Sequence, residues 1–134
     1  MLGKLTLCFF VACAFLLQAQ SGKVERGKYL VEEVAKCQEC HTPKQADGQP
    51  DRAKWMKGAV LNVQPIEPIK GWHKTSPDLT PAGKLFQKWG EKGLSTFLQT
   101  AVGPSGHGAD PPMPDYKLKA QDAEAIIAYL KSLK

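Results

Sequence analysis

The segment "CQECH" at residues 37–41 decides how the rest of this chain is interpreted. It contains Cys37 and Cys40, and His41 follows the second cysteine directly. A C-x-x-C-H pattern is typical of covalent haem attachment, whereas a cysteine pair alone also occurs in zinc sites and in dithiol redox centres. Because cysteine and histidine are rare residues, chance is a poor explanation of the pattern. The surrounding sequence has to distinguish the three chemistries.

The N-terminal residues 1–20 have the pattern of a secretory signal peptide. Lys4 is their single charge, and residues 5–17 are apolar at all but one position. This apolar run is shorter than the roughly 20 residues that a membrane-spanning helix needs. We therefore predict cleavage near Ala19 or Gln20 and export from the cytoplasm. A retained membrane anchor is the alternative, and lipidation at Cys13 is a third option.

The composition of residues 21–134 is that of one small domain. The sequence carries 18 Lys+Arg and 13 Asp+Glu residues, so the chain without Lys4 has a net charge of about +4. This excess is too small and too scattered to predict a nucleic-acid partner. It suits docking onto an acidic protein or a loose association with a membrane surface, and it also simply favours solubility. With Cys37 and Cys40 as the remaining cysteines, no disulfide framework is expected.

Hydrophobic periodicity and helix-end signals predict an all-α domain of about four helices with long loops. Thr80 is expected to cap the second helix with Pro81 in its first turn, and Ser95 and Gly103 are expected to bound the third. The last helix has the strongest amphipathic pattern. The predicted helices cover residues 24–36, 78–90, 95–103 and 120–133.

Residues 42–78 are rich in glycine and proline and are predicted to be mostly loop, with a short extended piece within 55–63. A loop of this length is unusual in a compact domain. We therefore expect it to wrap something other than its own side chains.

The context of the cysteine pair favours haem over the other two chemistries. A dithiol redox centre calls for a βαβ pattern, and no strands are predicted to supply it. A structural zinc needs four ligands, and the other histidines have no partners at ligand spacing. Covalent haem fits, with Cys37 and Cys40 as thioether attachment points and His41 as the proximal iron ligand. The predicted cofactor is one haem c.

A haem iron has a second axial position, for which the mature chain offers four candidates. Met113 lies between prolines in "PPMPDY", so a stiff loop can hold its thioether at the iron. His107 lies among glycines, and His73 lies in a loop as a surface or packing residue. Met56 follows Trp55 and is interpreted as a core residue. The sequence favours Met113 as the distal ligand, with His107 and His73 as alternatives.

The sequence resembles the class I cytochromes c of the bacterial periplasm. The resemblance covers nearly the whole mature chain and is closest to cytochrome subunits of membrane-bound alcohol, aldehyde and sugar-acid dehydrogenases. Its motifs are "GKYLVEEVAKCQECHTP" (27–43), "SPDLTP" (76–81), "PPMPDYKL" (111–118) and "DAEAIIAYLKSL" (122–133).

The resemblance implies that the first and last helices cross near the haem. Gly27 would allow close backbone approach there, and Tyr129 and Leu130 would lie at the crossing. The chain departs from the family pattern at two places. The last helix lacks the usual Ser or Asp cap, and Asp78 stands where an amide often lies near a haem propionate.

These observations predict an exported electron carrier that cycles between Fe(III) and Fe(II) and is not an enzyme. Redox proteins are its expected partners, including a membrane-bound dehydrogenase or a terminal oxidase of a respiratory chain. One alternative is a haem-based sensor or peroxidase-like protein with a labile sixth ligand. Another is a haem subunit fixed in a dehydrogenase complex.

Overall fold

The computed structural model of this chain describes residues 20–133. Residues 1–19 of the predicted signal peptide lie outside these residues, and its cleavage near Ala19 or Gln20 stays a prediction. Within the described part of the chain, no helix is both long and apolar enough to cross a membrane.

Four helices dominate the fold, which confirms the predicted all-α class. Helix α1 comprises helical residues 20–29 followed by a π-helical turn at Leu30–Val34. Helices α2, α3 and α4 cover Gln38–His41, Lys84–Thr100 and Ala120–Ser132. A short 3₁₀ turn at Arg52–Lys54 and two antiparallel strands, β1 (Ala59–Val60) and β2 (Thr75–Ser76), lie in the long loop between α2 and α3.

Helices α1 and α4 cross at Gly27, as the resemblance implies. A Cβ atom at this residue would lie 1.9 Å from the carbonyl oxygen of Ala125 and 2.8 Å from the Cβ atom of Tyr129. Only glycine permits such an approach of two backbones. Helix α4 presents Ile126, Ile127 and Leu130 to the core, as its amphipathic pattern predicts. Its start at Lys119 has no side-chain cap, which confirms the departure noted in the sequence.

The end of α1 differs from the prediction of one helix through Lys36. The amide of Ala35 donates to the carbonyl oxygen of Leu30, a π-type bond that widens the last turn. The wider turn shifts the helical register, and Val34, predicted on the apolar face, is 58% exposed. Lys36 then adopts a left-handed conformation (φ 49°), so α2 starts as a separate helix.

Helix α3 consists of two helical segments that meet at Gly90 (φ 64°, ψ 178°), the residue at which the first predicted helix (78–90) ends. The second predicted helix (95–103) starts earlier than expected, so Ser95 lies inside it and is not its cap. The predicted cap Thr80 and Pro81 precede the helix in a turn, where the amide of Gly83 donates to the carbonyl oxygen of Thr80. The N-cap residue is Gly83.

The C-terminal end of α3 is formed by Ala101 in a left-handed conformation (φ 60°), not by Gly103 as predicted. Gly103 has a packing role instead. A Cβ atom there would lie 2.8 Å from Cη2 of Trp89, so the loop passes directly over the indole ring.

The loop between α2 and α3 contains the predicted extended piece as strand β1. Not all of its apolar residues are buried. Ile66 is fully exposed, and three further aliphatic side chains of the same loop are largely exposed: Val60, Val63 and Ile69.

A closed set of four side chains ties this loop to α1 and α4. The indole of Trp55 donates to the hydroxyl of Tyr129 (2.9 Å), which donates to the Glu32 carboxylate (2.6 Å). Arg52 pairs with Glu32 at 3.5 Å and stacks over Trp55. Burial, and then the hydrogen bond to Glu32, raise the pKa of Tyr129 to about 12.

Candidate cofactor site

A cavity of about 590 Å³ lies between the C-x-x-C-H segment and helices α3 and α4. Its volume is in the range of small-molecule and cofactor pockets, roughly 300–1,000 Å³. Cys37, Cys40, His41 and Met113 all line it, so the structure brings the four predicted site residues to one place. The remaining wall is largely apolar and includes Leu85, Trp89, Leu94, Phe97, Ile126 and Leu130.

The ring of His41 is buried and held at one nitrogen. Its Nδ1 lies 2.9 Å from the carbonyl oxygen of Pro77, so Nδ1 carries the proton and donates it. The Nε2 atom of this tautomer keeps its lone pair, which is the form that binds a metal. Burial lowers the pKa of His41, and the hydrogen bond to Pro77 only partly opposes this effect. The imidazole is therefore neutral and oriented.

The Cys37 thiol lacks the lowered pKa that is typical of a redox-active cysteine. Both cysteines are free, and burial raises the pKa of the Cys37 thiol to about 11. Dithiol redox centres instead lower the pKa of the attacking cysteine. Residues 20–133 contain no group of three or more His, Cys, Asp or Glu side chains that could hold a metal ion. One histidine and two thiols beside a large apolar cavity fit a haem.

The candidates for a second axial ligand divide into two groups. Met113, His107 and His73 line the cavity. Met56 does not, because it is 0% exposed and belongs to the hydrophobic core, as its sequence context suggests. Met113 is half-buried, whereas both histidines are exposed. His73 also lies 3.4 Å from the carboxylate of Asp110.

The loop that carries Met113 is fixed from two sides. The Met113 amide donates to the carbonyl oxygen of Asp110 at 3.0 Å, and the His73 amide donates to that of Pro111 at 2.7 Å. These bonds place the thioether on a braced turn at the cavity.

Two features of the site were missed or misplaced by sequence reasoning. The Pro77 carbonyl was missed because a backbone group 36 residues away leaves no pattern that marks its contact with His41. Asp78, expected near a haem propionate, does not line the cavity. Its carboxylate accepts the Thr80 amide at 2.7 Å and shapes the turn before α3.

Comparison with known proteins agrees with this geometry. Residues 24–134 match the cytochrome c family. The chain is 35% identical over 112 residues to a diheme cytochrome c-type protein of Cereibacter sphaeroides, and 30% identical over 114 residues to the fructose dehydrogenase cytochrome subunit of Gluconobacter japonicus. A third relative, one of the subunits of nicotinate dehydrogenase from Pseudomonas putida, is 29% identical over 120 residues.

The matched segments cover 80%, 81% and 85% of this chain but 34%, 21% and 9% of the respective relatives. The chain thus spans about a third or less of their length. Its family match, however, extends over the described domain, including the C-x-x-C-H segment and the cavity. The chain therefore belongs to the cytochrome c family, as a haem-based electron-transfer protein that resembles the cytochrome subunits of dehydrogenases.

Proposed function

We propose that this chain is an exported monohaem c-type cytochrome that passes single electrons between redox proteins. The observation that carries the proposal is the oriented neutral imidazole of His41 beside two free cysteines at a large apolar cavity. The sequence contains one C-x-x-C-H segment, which supports a count of one haem. The apolar N-terminal residues support export to the periplasm.

Each site residue has a distinct role in this proposal. Cys37 and Cys40 would supply the thioether sulfurs, and Nε2 of His41 and the thioether of Met113 would both bind the iron. When bound, haem c supplies a reversible one-electron Fe(III)/Fe(II) couple. The apolar wall excludes water and, together with the soft sulfur, favours the ferrous charge state.

If His41 and Met113 both bind the iron, no position is left for a substrate, which supports an electron carrier without substrate chemistry. The half-buried position of Met113 favours this function over a sensor or peroxidase-like protein, which needs an open or labile sixth site. The fructose dehydrogenase cytochrome subunit among the relatives supports a second arrangement, in which the chain is a non-catalytic subunit fixed to a dehydrogenase.

The partner surface that we propose is the loop of residues 57–74 together with the adjoining 108–114. This loop carries four exposed aliphatic side chains, and Lys57, Lys70 and Lys74 of the same loop are exposed. Leu61 and His73 of the same loop line the cavity, so a docked protein would lie close to the cofactor. Exposed apolar side chains together with three lysines, against the two acidic residues Glu67 and Asp110, fit an acidic redox protein, such as a dehydrogenase or an oxidase.

The test is covalent attachment in protein produced with a haem-ligation system. We expect the mature protein to gain the mass of one haem and to keep it through acid–acetone extraction, because two thioethers hold it. Cys37→Ser and Cys40→Ser should each mature poorly, while Ser132→Ala serves as a control remote from the cavity. Haem that is extracted from the wild-type protein contradicts the proposal.

A further inference from the structure

The helix that carries His41 has only four residues, too few to be stable by itself. The carbonyl groups at the end of a helix lack partners within it. Here the β1–β2 hairpin supplies them. The hydroxyl of Ser76 lies 2.5 Å from the carbonyl oxygen of Cys40, and the amide of Gly58 donates to the carbonyl oxygen of His41 at 2.9 Å. The hairpin therefore caps α2 across a long stretch of sequence.

The hydroxyl of Ser76 joins both strands of the hairpin to α2. Its oxygen accepts the amide of Ala59 at 3.0 Å, and Ala59 is the residue opposite Ser76 in the strand pair. The hydroxyl proton has two acceptors in reach, the Cys40 oxygen at 2.5 Å and the Ala59 oxygen at 3.4 Å. The shorter distance directs the proton to Cys40.

Pro77, which follows Ser76 directly, provides the carbonyl oxygen that accepts the Nδ1 proton of His41 at 2.9 Å. The hydroxyl that holds the helix and the carbonyl that orients the imidazole therefore belong to adjacent residues. Gly58 completes this arrangement with φ 80°. A Cβ atom at Gly58 would lie 2.6 Å from the carbonyl oxygen of Ser76 and 3.0 Å from the carbonyl carbon of Pro77.

We propose that Ser76 is a positioning residue, whose hydroxyl keeps the Pro77 carbonyl on the Nδ1 proton of His41. The inference rests on the proposed function, in which Nε2 of this ring is the iron ligand. A hydrogen bond at Nδ1 fixes the ring and raises the basicity of the ligating nitrogen. When the hydroxyl is removed, the ring donates less charge to the iron, so the ferric state is less stabilised and the reduction potential rises.

The test measures hydrogen exchange of the His41 Nδ1 proton by NMR in the ferrous holoprotein. Ser76→Ala removes a bond of typical strength, so exchange should accelerate about ten-fold. The potential should rise in the same variant, and Ser76→Thr, which keeps the hydroxyl, should restore both values. Ser132→Ala is the matched control, because its hydroxyl also donates to a backbone carbonyl, that of Tyr129 at 2.6 Å, and neither residue lines the cavity.

If Ser76→Ala behaves like Ser132→Ala in exchange and potential, the inference is wrong. Should Ser76→Ala yield no holoprotein, the wild-type protein decides the question. In that case the His41 Nδ1 proton should share the protection of the Gly58 and Ala59 amides, because one opening of the hairpin exposes all three. If the His41 Nδ1 proton exchanges independently of these two amides, the inference is wrong.

The two proposals fail in different ways. A wild-type protein without covalent haem refutes the proposed function and this inference with it. A normal holoprotein whose His41 ring is insensitive to Ser76 refutes the inference alone.

Discussion

Replacing Met56 and Met113 one at a time separates a packing residue from a cavity residue. Met56 is 0% exposed within the hydrophobic core, so Met56→Ala should lower the free energy of unfolding by roughly 2–5 kcal/mol. Met56 has φ 57°, a strained conformation that alanine shares, so the backbone cost cancels and the loss is one of packing. The spectrum and the reduction potential should stay those of the wild-type protein.

Met113→Ala should have the opposite profile. Loss of the soft thioether removes a preference for the ferrous state, and the reduction potential should fall by on the order of 0.1 V. Since about 59 mV corresponds to a ten-fold change for one electron, this shift equals about a fifty-fold change in the ratio of Fe(III) to Fe(II). Met113 is half-buried, so the change in unfolding free energy should be smaller than that of Met56→Ala.

Three measurements decide between these profiles: the ferric absorption band of sulfur–iron charge transfer, a potentiometric titration and urea unfolding followed by circular dichroism. Met113→Ala should lose the band and bind carbon monoxide when reduced. His107→Ala and His73→Ala, which change the other cavity candidates, should keep it. If Met56→Ala abolishes the band while Met113→Ala keeps it, the ligand assignment is wrong although haem attachment stands.

Three further perturbations test the fold and the partner surface. Gly27→Ala should lower the free energy of unfolding by roughly 1–3 kcal/mol, because its methyl group would lie 1.9 Å from a carbonyl oxygen of α4. Unchanged stability in chemical unfolding would disprove the close crossing. Tyr129 has a pKa raised to about 12, so its contribution to stability should be present below about pH 10 and be lost as the pH rises towards 12. Tyr129→Phe should remove this part of the pH dependence, and a variant that retains it would point to another group. A Lys70→Glu, Lys74→Glu double variant should slow electron transfer to an acidic redox protein a few-fold at low salt and less at high salt. If Lys28→Glu slows electron transfer equally, the proposed partner surface is wrong.

The features that sequence predicted well are encoded by neighbouring residues. Residues 37–41 contain the two thiols and the imidazole within a single turn of chain, so their common position at the cavity needs no distant contact. The amphipathic spacing of α4 likewise places its buried residues on one face whatever lies opposite. Met113 could be singled out because the flanking prolines stiffen the chain on both sides.

Helix ends were predicted less accurately, because several residues can satisfy the same local rule. Thr80 and Pro81 are good helix-start residues, but the Asp78 carboxylate holds the Thr80 amide in a turn. Gly103 is a good terminator, but contact with Trp89 gives it a packing role, and α3 ends at Ala101 instead. Packing against the rest of the domain selects among such alternatives.

The order of residues is enough to predict the all-α class, the thiol and imidazole groups of the site, and the methionine favoured for the cavity. How these groups are held depends on contacts between distant parts of the folded chain. The Pro77 carbonyl that orients His41, and the Ser76 hydroxyl that caps its helix, reach the site across 36 residues. The chemistry of the side chains follows directly from the order of residues, whereas the position of a distant backbone group depends on the packing of the whole chain. The need for glycine at residues 27 and 58 is evident only from the backbone atoms that lie against each of them in the folded chain.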